Sequence, residues 1–250
     1  MQCVVLAGGR GTRMRPFTDT RPKCLIPVAG HPFIDWQLAW LAAEGVERVV
    51  LSVGYGAELV RAHVGDGGCF DLAVDYVDDG DVPLGTGGAL RRALDEGKLD
   101  GTFFLVYGDS YLPVRFGEVG TEYRQRSTPV LMTVYRDPGH LETPNAVLDH
   151  GMVIRYEKGL APPPPEMQWV DYGLAVWSRD AVIQRIPTST VMDLAAVYGA
   201  LSREDRLAGM EVTARFYEIG SLEGWRDMES LIGRGGALAP LPHADRSSTP

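Results

Sequence analysis

The sequence predicts an α/β fold, a mostly parallel central sheet with helices on both faces. Two observations predict it. Up to residue 135, short β-rich apolar runs alternate with stretches whose apolar residues recur at helical spacing. Glycine-bearing segments then follow several of those runs directly, where loops leave the carboxyl ends of parallel strands and ligands bind.

In chain order, the strand candidates of this half are Cys3–Leu6, Arg48–Val53, Leu72–Val77, Phe103–Tyr107 and Val130–Tyr135. Between them, Ile34, Leu38 and Leu41 mark a helix over Ile34–Glu44, and Gly45 suits its C-terminal cap. Ala57–Val64 and Thr86–Glu96 read as two further helices. After Pro144 the pattern becomes β-rich, with strands at Ala146–Asp149, Val153–Glu157 and Val170–Ser178. The run Pro162-Pro163-Pro164-Pro165 fits neither a helix nor a central strand and reads as an extended surface loop. Thr190–Ser202 reads as a helix, Thr213–Ile219 as a strand and Ser221–Ile232 as a closing helix. Ser221 is its expected N-cap, with Glu223 in the first turn. These elements make one domain over residues 1–232, split near 135 into a first half and a smaller β-rich half at 136–232. Gly, Ala, Pro and Ser dominate 233–250, which reads as a disordered tail.

Composition narrows the function. The 250 residues are 45% hydrophobic and 23% charged, as in soluble globular proteins. A net charge of −9 argues against nucleic acid or an anionic membrane as partner. No apolar run approaches the roughly 20 residues of a membrane span, and the opening strand lacks the pattern of a secretory signal. Cys3, Cys24 and Cys69 are odd in number and widely spaced, as expected of reduced thiols in the cytoplasm. His31, His63, His140, His150 and His243 are scattered and support no histidine catalyst. Trp36 and Trp40, four apart on a helix, suit a core or an interface, which leaves a homo-oligomer open.

One string carries most of the chemistry. Val5-Leu6-Ala7-Gly8-Gly9-Arg10-Gly11-Thr12-Arg13-Met14-Arg15-Pro16 is followed by Arg21-Pro22-Lys23-Cys24-Leu25-Ile26-Pro27. Its glycines leave backbone N–H groups open to an anion. Arg13 and Lys23 can add charge for an extended polyanion such as a triphosphate. It is not a P-loop, because Gly-x-x-x-x-Gly-Lys-Ser/Thr does not occur, and Met14 stands where a Rossmann fingerprint needs its third glycine. A glycine turn beside solvated arginines is the plain alternative. What remains resembles the signature of the sugar-1-phosphate nucleotidyltransferases, the nucleotide-sugar pyrophosphorylases.

The resemblance runs over about residues 1–232, is most specific at this first loop, and implies a GT-A-like, Rossmann-like fold. It also implies synthesis of an NDP-sugar and pyrophosphate from a nucleoside triphosphate and a sugar 1-phosphate, assisted by Mg²⁺. Leu6, Ala7, Gly8, Gly9, Gly11 and Thr12 would bind the nucleotide, and Arg13 and Lys23 would be catalytic. Pro83-Leu84-Gly85-Thr86-Gly87-Gly88 resembles the family's nucleobase loop, which adds Gly85, Thr86, Gly87 and Gly88. Asp109, in Val106-Tyr107-Gly108-Asp109-Ser110, would hold the metal. Glu218 would hold it too, although the family usually has an aspartate there. Asn145, Glu157, Lys158, Asp171, Tyr172 and Gly173 would meet the sugar phosphate. Lys158 is followed by Gly159, not the proline of related enzymes. Asp78-Asp79-Gly80-Asp81-Val82 fits no pattern of the family, so the residue that chooses the base is unassigned.

Within the family the chain looks most like the heptose-1-phosphate guanylyltransferases and the short N-acetylmuramate-1-phosphate uridylyltransferases. GTP with a heptose or hexose 1-phosphate is the expected pair, with UTP or dTTP and a hexose or amino-sugar 1-phosphate as the alternative. A non-catalytic nucleotide-sugar-binding regulator would be expected to lack Arg13, Lys23 or Asp109, and all three are present.

Overall fold

A computed structural model describes residues 1–80, 82–137, 142–235 and 241. The chain forms two compact units. The first comprises Met1–Pro83, Tyr107–Tyr111 and the chain from Tyr217 onward; the second comprises Leu84–Val106 and Leu112–Phe216. Of the expected tail, residues 236–240 and 242–250 lie outside the described residues, as do Asp81 and His140.

In the first unit, β1 (Gln2–Leu6) pairs in parallel with β4 (Arg48–Val53), which pairs in parallel with β5 (Ala73–Asp78). Cys3, Val4, Val5, Val49, Val50 and Leu51 are all buried, as strands covered on both faces require. Leu6 lies opposite Ser52, and Val53 opposite Asp78, so the three strands end at one level. The segments that follow, at Ala7, Gly54 and Asp79, therefore emerge on one rim. β2 (Pro27–Val28) and β3 (His31–Pro32) form a short hairpin ahead of α1 (Phe33–Ala43). The helix buries Ile34, Leu38 and Leu41 as expected, and Gly45 closes its end with a φ of 82°. Trp40 is buried edge-on against Tyr111 at 5.5 Å and belongs to the core. α2 (Ala57–Val64) follows β4, and α7 (Leu222–Gly233) is capped by Ser221, which accepts a hydrogen bond from the Gly224 N–H.

The second unit is rich in strands, as expected after Pro144, and mixed in strand direction. Its strands are β6 (Thr102–Tyr107), β8 (Val130–Tyr135), β9 (Ala146–Asp149), β10 (Met152–Tyr156), β11 (Val170–Ser178) and β12 (Leu207–Val212). Their order is β6-β11-β8-β12-β10-β9. β11 runs antiparallel to both β6 and β8, while β12 is parallel to β8. α3 (Gly85–Asp95), α4 (Phe116–Arg124), α5 (Arg179–Arg185) and α6 (Leu194–Arg203) complete it. Neither α4 nor α5 was expected; α4 carries Gly117 and Gly120, which weaken its helical signal.

Two further expectations are corrected. The helix expected from Thr190 begins only at Leu194, because Asp193 caps it by accepting from the Ala195 N–H. The strand expected over Thr213–Ile219 shrinks to β13 (Tyr217–Glu218), while the main strand lies earlier, at β12. Leu207 and Ala208 are buried there against the parallel partner β8.

Candidate active site

At the rim of the first unit, three loops pack backbone against backbone through glycines. A Cβ on Gly54 would lie 2.8 Å from the Gly8 carbonyl oxygen. One on Gly108 would lie 2.6 Å from the Ala7 Cβ and 3.0 Å from the Leu6 carbonyl oxygen. Any larger residue would force the loops apart. Gly9, by contrast, has nothing within 4 Å of a built Cβ, so the loop is open at that point. Gly11 takes a φ of 60°, and its carbonyl accepts a hydrogen bond from the buried Thr18 hydroxyl at 2.9 Å. The next turn, Thr12–Met14, drives Met14 into the core and leaves Thr12 and Arg13 exposed.

Lys23 opens a short turn anchored by the buried Cys24 and Ile26. Its ammonium makes a short ion pair with the Asp109 carboxylate. Asp109 is pinned from several sides. The Gln37 amide of α1 donates to the carbonyls of Tyr107 (2.8 Å) and Ser110 (2.9 Å), one on each side of Gly108-Asp109. The Ile219 N–H donates to the Asp109 carbonyl at 2.9 Å. β7 (Ser110–Tyr111) pairs antiparallel with β13, placing Glu218 opposite Ser110. Gly220 lets two side chains approach: a Cβ there would lie 3.0 Å from Glu218 Oε1 and 3.4 Å from Arg13 Nη2. The structure thus gathers the open loop, Arg13, Lys23, Asp109 and Glu218 in one unit. Gln37 was missed from sequence; a buried glutamine within an apolar helix was the available signal.

Two carboxylates, Asp109 in the turn just before β7 and Glu218 on its partner β13, are hard oxygen donors of the kind Mg²⁺ accepts. Among the described residues, no three His, Cys, Asp or Glu cluster closely enough to hold a metal unaided. The donor set therefore fits an ion that arrives already bound to phosphate oxygens, as Mg²⁺ commonly does.

In the second unit, the start of α3 is already filled by the chain itself. The Gly87 and Gly88 N–H groups donate to the Met192 carbonyl at 2.8 and 3.3 Å. The Thr86 hydroxyl accepts from the Leu194 N–H, and a Cβ on Gly85 would lie 2.5 Å from the Met192 carbonyl oxygen. Thr190–Asp193 packs against Gly85, Thr86, Gly87 and Gly88, and for the same reason that segment stays out of α6.

Most residues expected at the sugar do come together. The Asn145 side-chain oxygen accepts from the Asp171 N–H at 2.9 Å, and the Asn145 carbonyl accepts from the Glu157 N–H. The Tyr156 hydroxyl stands 3.5 Å from Asp171 Oδ2, and the Gly173 N–H donates to Asp171 Oδ1 at 3.0 Å. β11 bulges between Asp171 and Ala175, with Gly173 at a φ of 98°. Such a bulge re-aims side chains away from a regular ladder. Glu157 accepts a hydrogen bond from Arg155, and Lys158 is exposed. Tyr172 is a correction: its ring is 1% exposed between Tyr135 and Phe216, on the core side of the strand.

Burial pushes the Asp171 carboxyl above the usual carboxylate range, against the Gly173 N–H and the Lys158 charge, which favour ionisation. A raised folded value means the native state holds this proton more tightly than the unfolded chain. Its contribution to stability therefore falls as pH rises from the ordinary carboxylate value through the folded one. Asp171→Asn should remove that slope from melting temperatures measured across the window and raise the melting point at neutral pH. Parallel profiles of the two proteins would refute the buried charge.

The sequence profile of the nucleotidyl transferases matches residues 2–227. The chain belongs to the nucleotidyl transferase family. This nucleotidyl transferase is 31% identical to the mannose-1-phosphate guanylyltransferase of Mycobacterium tuberculosis, over 97% of this chain and 67% of that one. It is 27% identical to the N-acetylmuramate alpha-1-phosphate uridylyltransferase of Neisseria meningitidis, over 93% and 99%. The crystal structure of HddC from Yersinia pseudotuberculosis complexed with GMP-PN superposes with a TM-score of 0.76 at 22% identity, covering 92% of this chain and 99% of that one. The fold is thus GT-A-like, and the relatives are sugar-1-phosphate nucleotidyltransferases. Among the described residues, no helix is long and apolar enough to cross a membrane.

Proposed function

We propose that this nucleotidyl transferase makes an NDP-sugar and pyrophosphate from GTP and a heptose or hexose 1-phosphate. The observation that carries the reading is the Lys23–Asp109 pair in the same unit as an open glycine loop, with Arg13 and Glu218 meeting at Gly220. Identity to a guanylyltransferase over 97% of the chain fits GTP, and identity to a uridylyltransferase over 93% keeps UTP as the alternative.

An oxygen of the sugar 1-phosphate attacks the α-phosphorus, a new P–O bond forms, and the bond to the β-phosphate oxygen breaks with its electron pair. A phosphate monoester is already ionised at neutral pH, so no general base is needed, and catalysis rests on position and charge. Leu6, Ala7, Gly8, Gly9, Gly11 and Thr12 line the triphosphate; the Ala7 N–H is given to the Ser52 carbonyl, so the cradling N–H groups come from the glycine turn beyond it. Lys23 stabilises charge at the α-phosphate, and Arg13 holds the departing pyrophosphate. Asp109 and Glu218 would hold Mg²⁺, whose chemistry when bound is to neutralise phosphate charge and align the reactants. In the second unit, Lys158 pairs with the sugar's phosphate, and Asn145, Glu157 and Asp171 accept or donate to sugar hydroxyls. The free thiols Cys3, Cys24 and Cys69 support a reducing compartment, the cytoplasm.

A grid of nucleoside triphosphates against sugar 1-phosphates, read by pyrophosphate release, tests this. Release with GTP and one hexose or heptose phosphate is expected. Release with UTP alone would assign the chain to the uridylyl group, and none with any pair would end the enzymatic reading.

A further inference from the structure

The turn that carries Asp109 is braced by a side chain with no access to solvent. Gln37 is wholly buried on α1, among mainly apolar side chains. Its amide nitrogen donates twice, to the Tyr107 carbonyl at 2.8 Å and to the Ser110 carbonyl at 2.9 Å. Its Oε1 is buried as well and has no hydrogen-bond partner. Turning the amide over would set that oxygen against two carbonyl oxygens, so the orientation is forced. A buried acceptor left unpaired costs stability that an apolar side chain of the same shape would not. Packing therefore does not account for a glutamine here; what its NH₂ group holds does.

Tyr107 and Ser110 flank Gly108-Asp109, so one planar amide ties together the two ends of the turn. The Ile219 N–H holds its middle, at the Asp109 carbonyl, and the Gly108 N–H donates to the Leu6 carbonyl at 2.9 Å. The carboxylate itself is shared between two neighbours. Its Oδ2 takes the Lys23 ammonium, and its Oδ1 accepts from the Ser110 hydroxyl at 3.4 Å. Gln37 thus holds the backbone ahead of the carboxylate and also the residue whose hydroxyl steadies it. All of these groups belong to the first unit.

We infer that Gln37 is a positioning residue: through the Tyr107 and Ser110 carbonyls it sets the Asp109 carboxylate where Lys23 and a divalent ion can both use it. The inference rests on the nucleotidyl-transfer reading above and names a residue behind its metal ligand. Mg²⁺ accepts oxygen only near 2.0–2.1 Å and in near-octahedral geometry, roughly, so a carboxylate on a loosened turn binds it poorly. Removing a group that orients a metal ligand typically costs about 10- to 100-fold in metal affinity or activity.

The test is whether a metal feels the loss of Gln37. Gln37→Met keeps the length of the side chain and loses both donors. Gln37→Glu keeps the shape, loses at least one donor, and serves as the second variant, with thermal melts to confirm folding. Calorimetry would titrate GTP, and separately UTP, into each protein with Mn²⁺ and again with EDTA. The ratio of the two affinities reads what the protein gives to the metal. Wild type should gain affinity from Mn²⁺. Both Gln37 variants should cut that gain about 10- to 100-fold and leave binding in EDTA unchanged, as should Asp109→Asn. In turnover the Gln37 variants should lower kcat with the KM for sugar phosphate unchanged. Leu38→Ala, a buried change on the same helix, should lower the melting temperature and keep the gain. An undiminished gain in the folded Gln37 variants, beside a lost one in Asp109→Asn, would overturn the inference while the metal reading stands. An equal loss in Leu38→Ala would reduce Gln37 to packing. No gain in wild type, or none lost in Asp109→Asn, would end the metal reading and this inference with it.

Discussion

Lys23→Ala should lower turnover about 10²- to 10³-fold, the usual effect of removing one group that stabilises transition-state charge. The turn that carries Lys23 is anchored by its neighbours Cys24 and Ile26, both buried, so the backbone should survive the change. What is lost is a cation held against Asp109, in the unit that carries the glycine loop. An interaction made chiefly in the transition state should lower kcat and kcat/KM together, and the KM for nucleotide should move little. Lys23→Arg should recover only part of the rate, because a planar guanidinium cannot take the place of a compact ammonium. Steady-state pyrophosphate release decides the matter. A near wild-type rate for Lys23→Ala would remove this residue from catalysis.

The first unit was legible in the sequence because its determinants are local. β1 and β4 are short apolar runs buried on both faces, while β5, at the end of the strand order, carries two aspartates and buries only Val77. Lys23 and Asp109 stood out because each adjoins a proline or glycine in a recognisable string, and Glu218 because it stands two residues before Gly220. Strand direction in the second unit was not legible, since nothing along β11 marks it as antiparallel to β6 and β8. One contact at the start of α3 was not legible for a physical reason. Small residues permit close approach by any carbonyl or anion, and the sequence around Gly85–Gly88 does not say that Met192, more than a hundred residues on, fills the space. Tyr172 misled because the neighbouring Asp171 and Gly173 do face the polar cluster, and strand alternation turns the tyrosine between them inward. Gln37 acts through contacts with a distant segment, which no window along the chain contains.

The second large effect should separate the two carboxylates. Asp109→Asn should cost about 10³-fold in kcat, at the upper end of what one electrostatic group contributes, and added Mg²⁺ should not restore it. On the proposed function two roles would fail together there: the partner of Lys23 and a metal ligand, at a backbone fixed by Gln37 and Ile219. Glu218 is placed differently. It sits on a two-residue strand opposite Ser110, beside Arg13 at Gly220, and its longer arm has more freedom. Glu218→Gln should therefore mainly raise the Mg²⁺ concentration needed for half-maximal rate. Glu218→Asp should also be impaired, because Mg²⁺ tolerates little error around oxygen distances of about 2.0–2.1 Å and the shorter side chain starts from the same backbone. Mn²⁺, also suited to carboxylate and water ligands, should partly rescue it. With only two carboxylates available, metal affinity should depend on the triphosphate: calorimetry with Mn²⁺ should show weak binding to the protein alone and tight binding once nucleotide is present. Tight binding without nucleotide would contradict a site completed by phosphate oxygens. Full activity of Glu218→Gln at limiting Mg²⁺ would reduce Glu218 to a neighbour of Arg13 and leave Asp109 as the one protein ligand, with phosphate and water completing the shell.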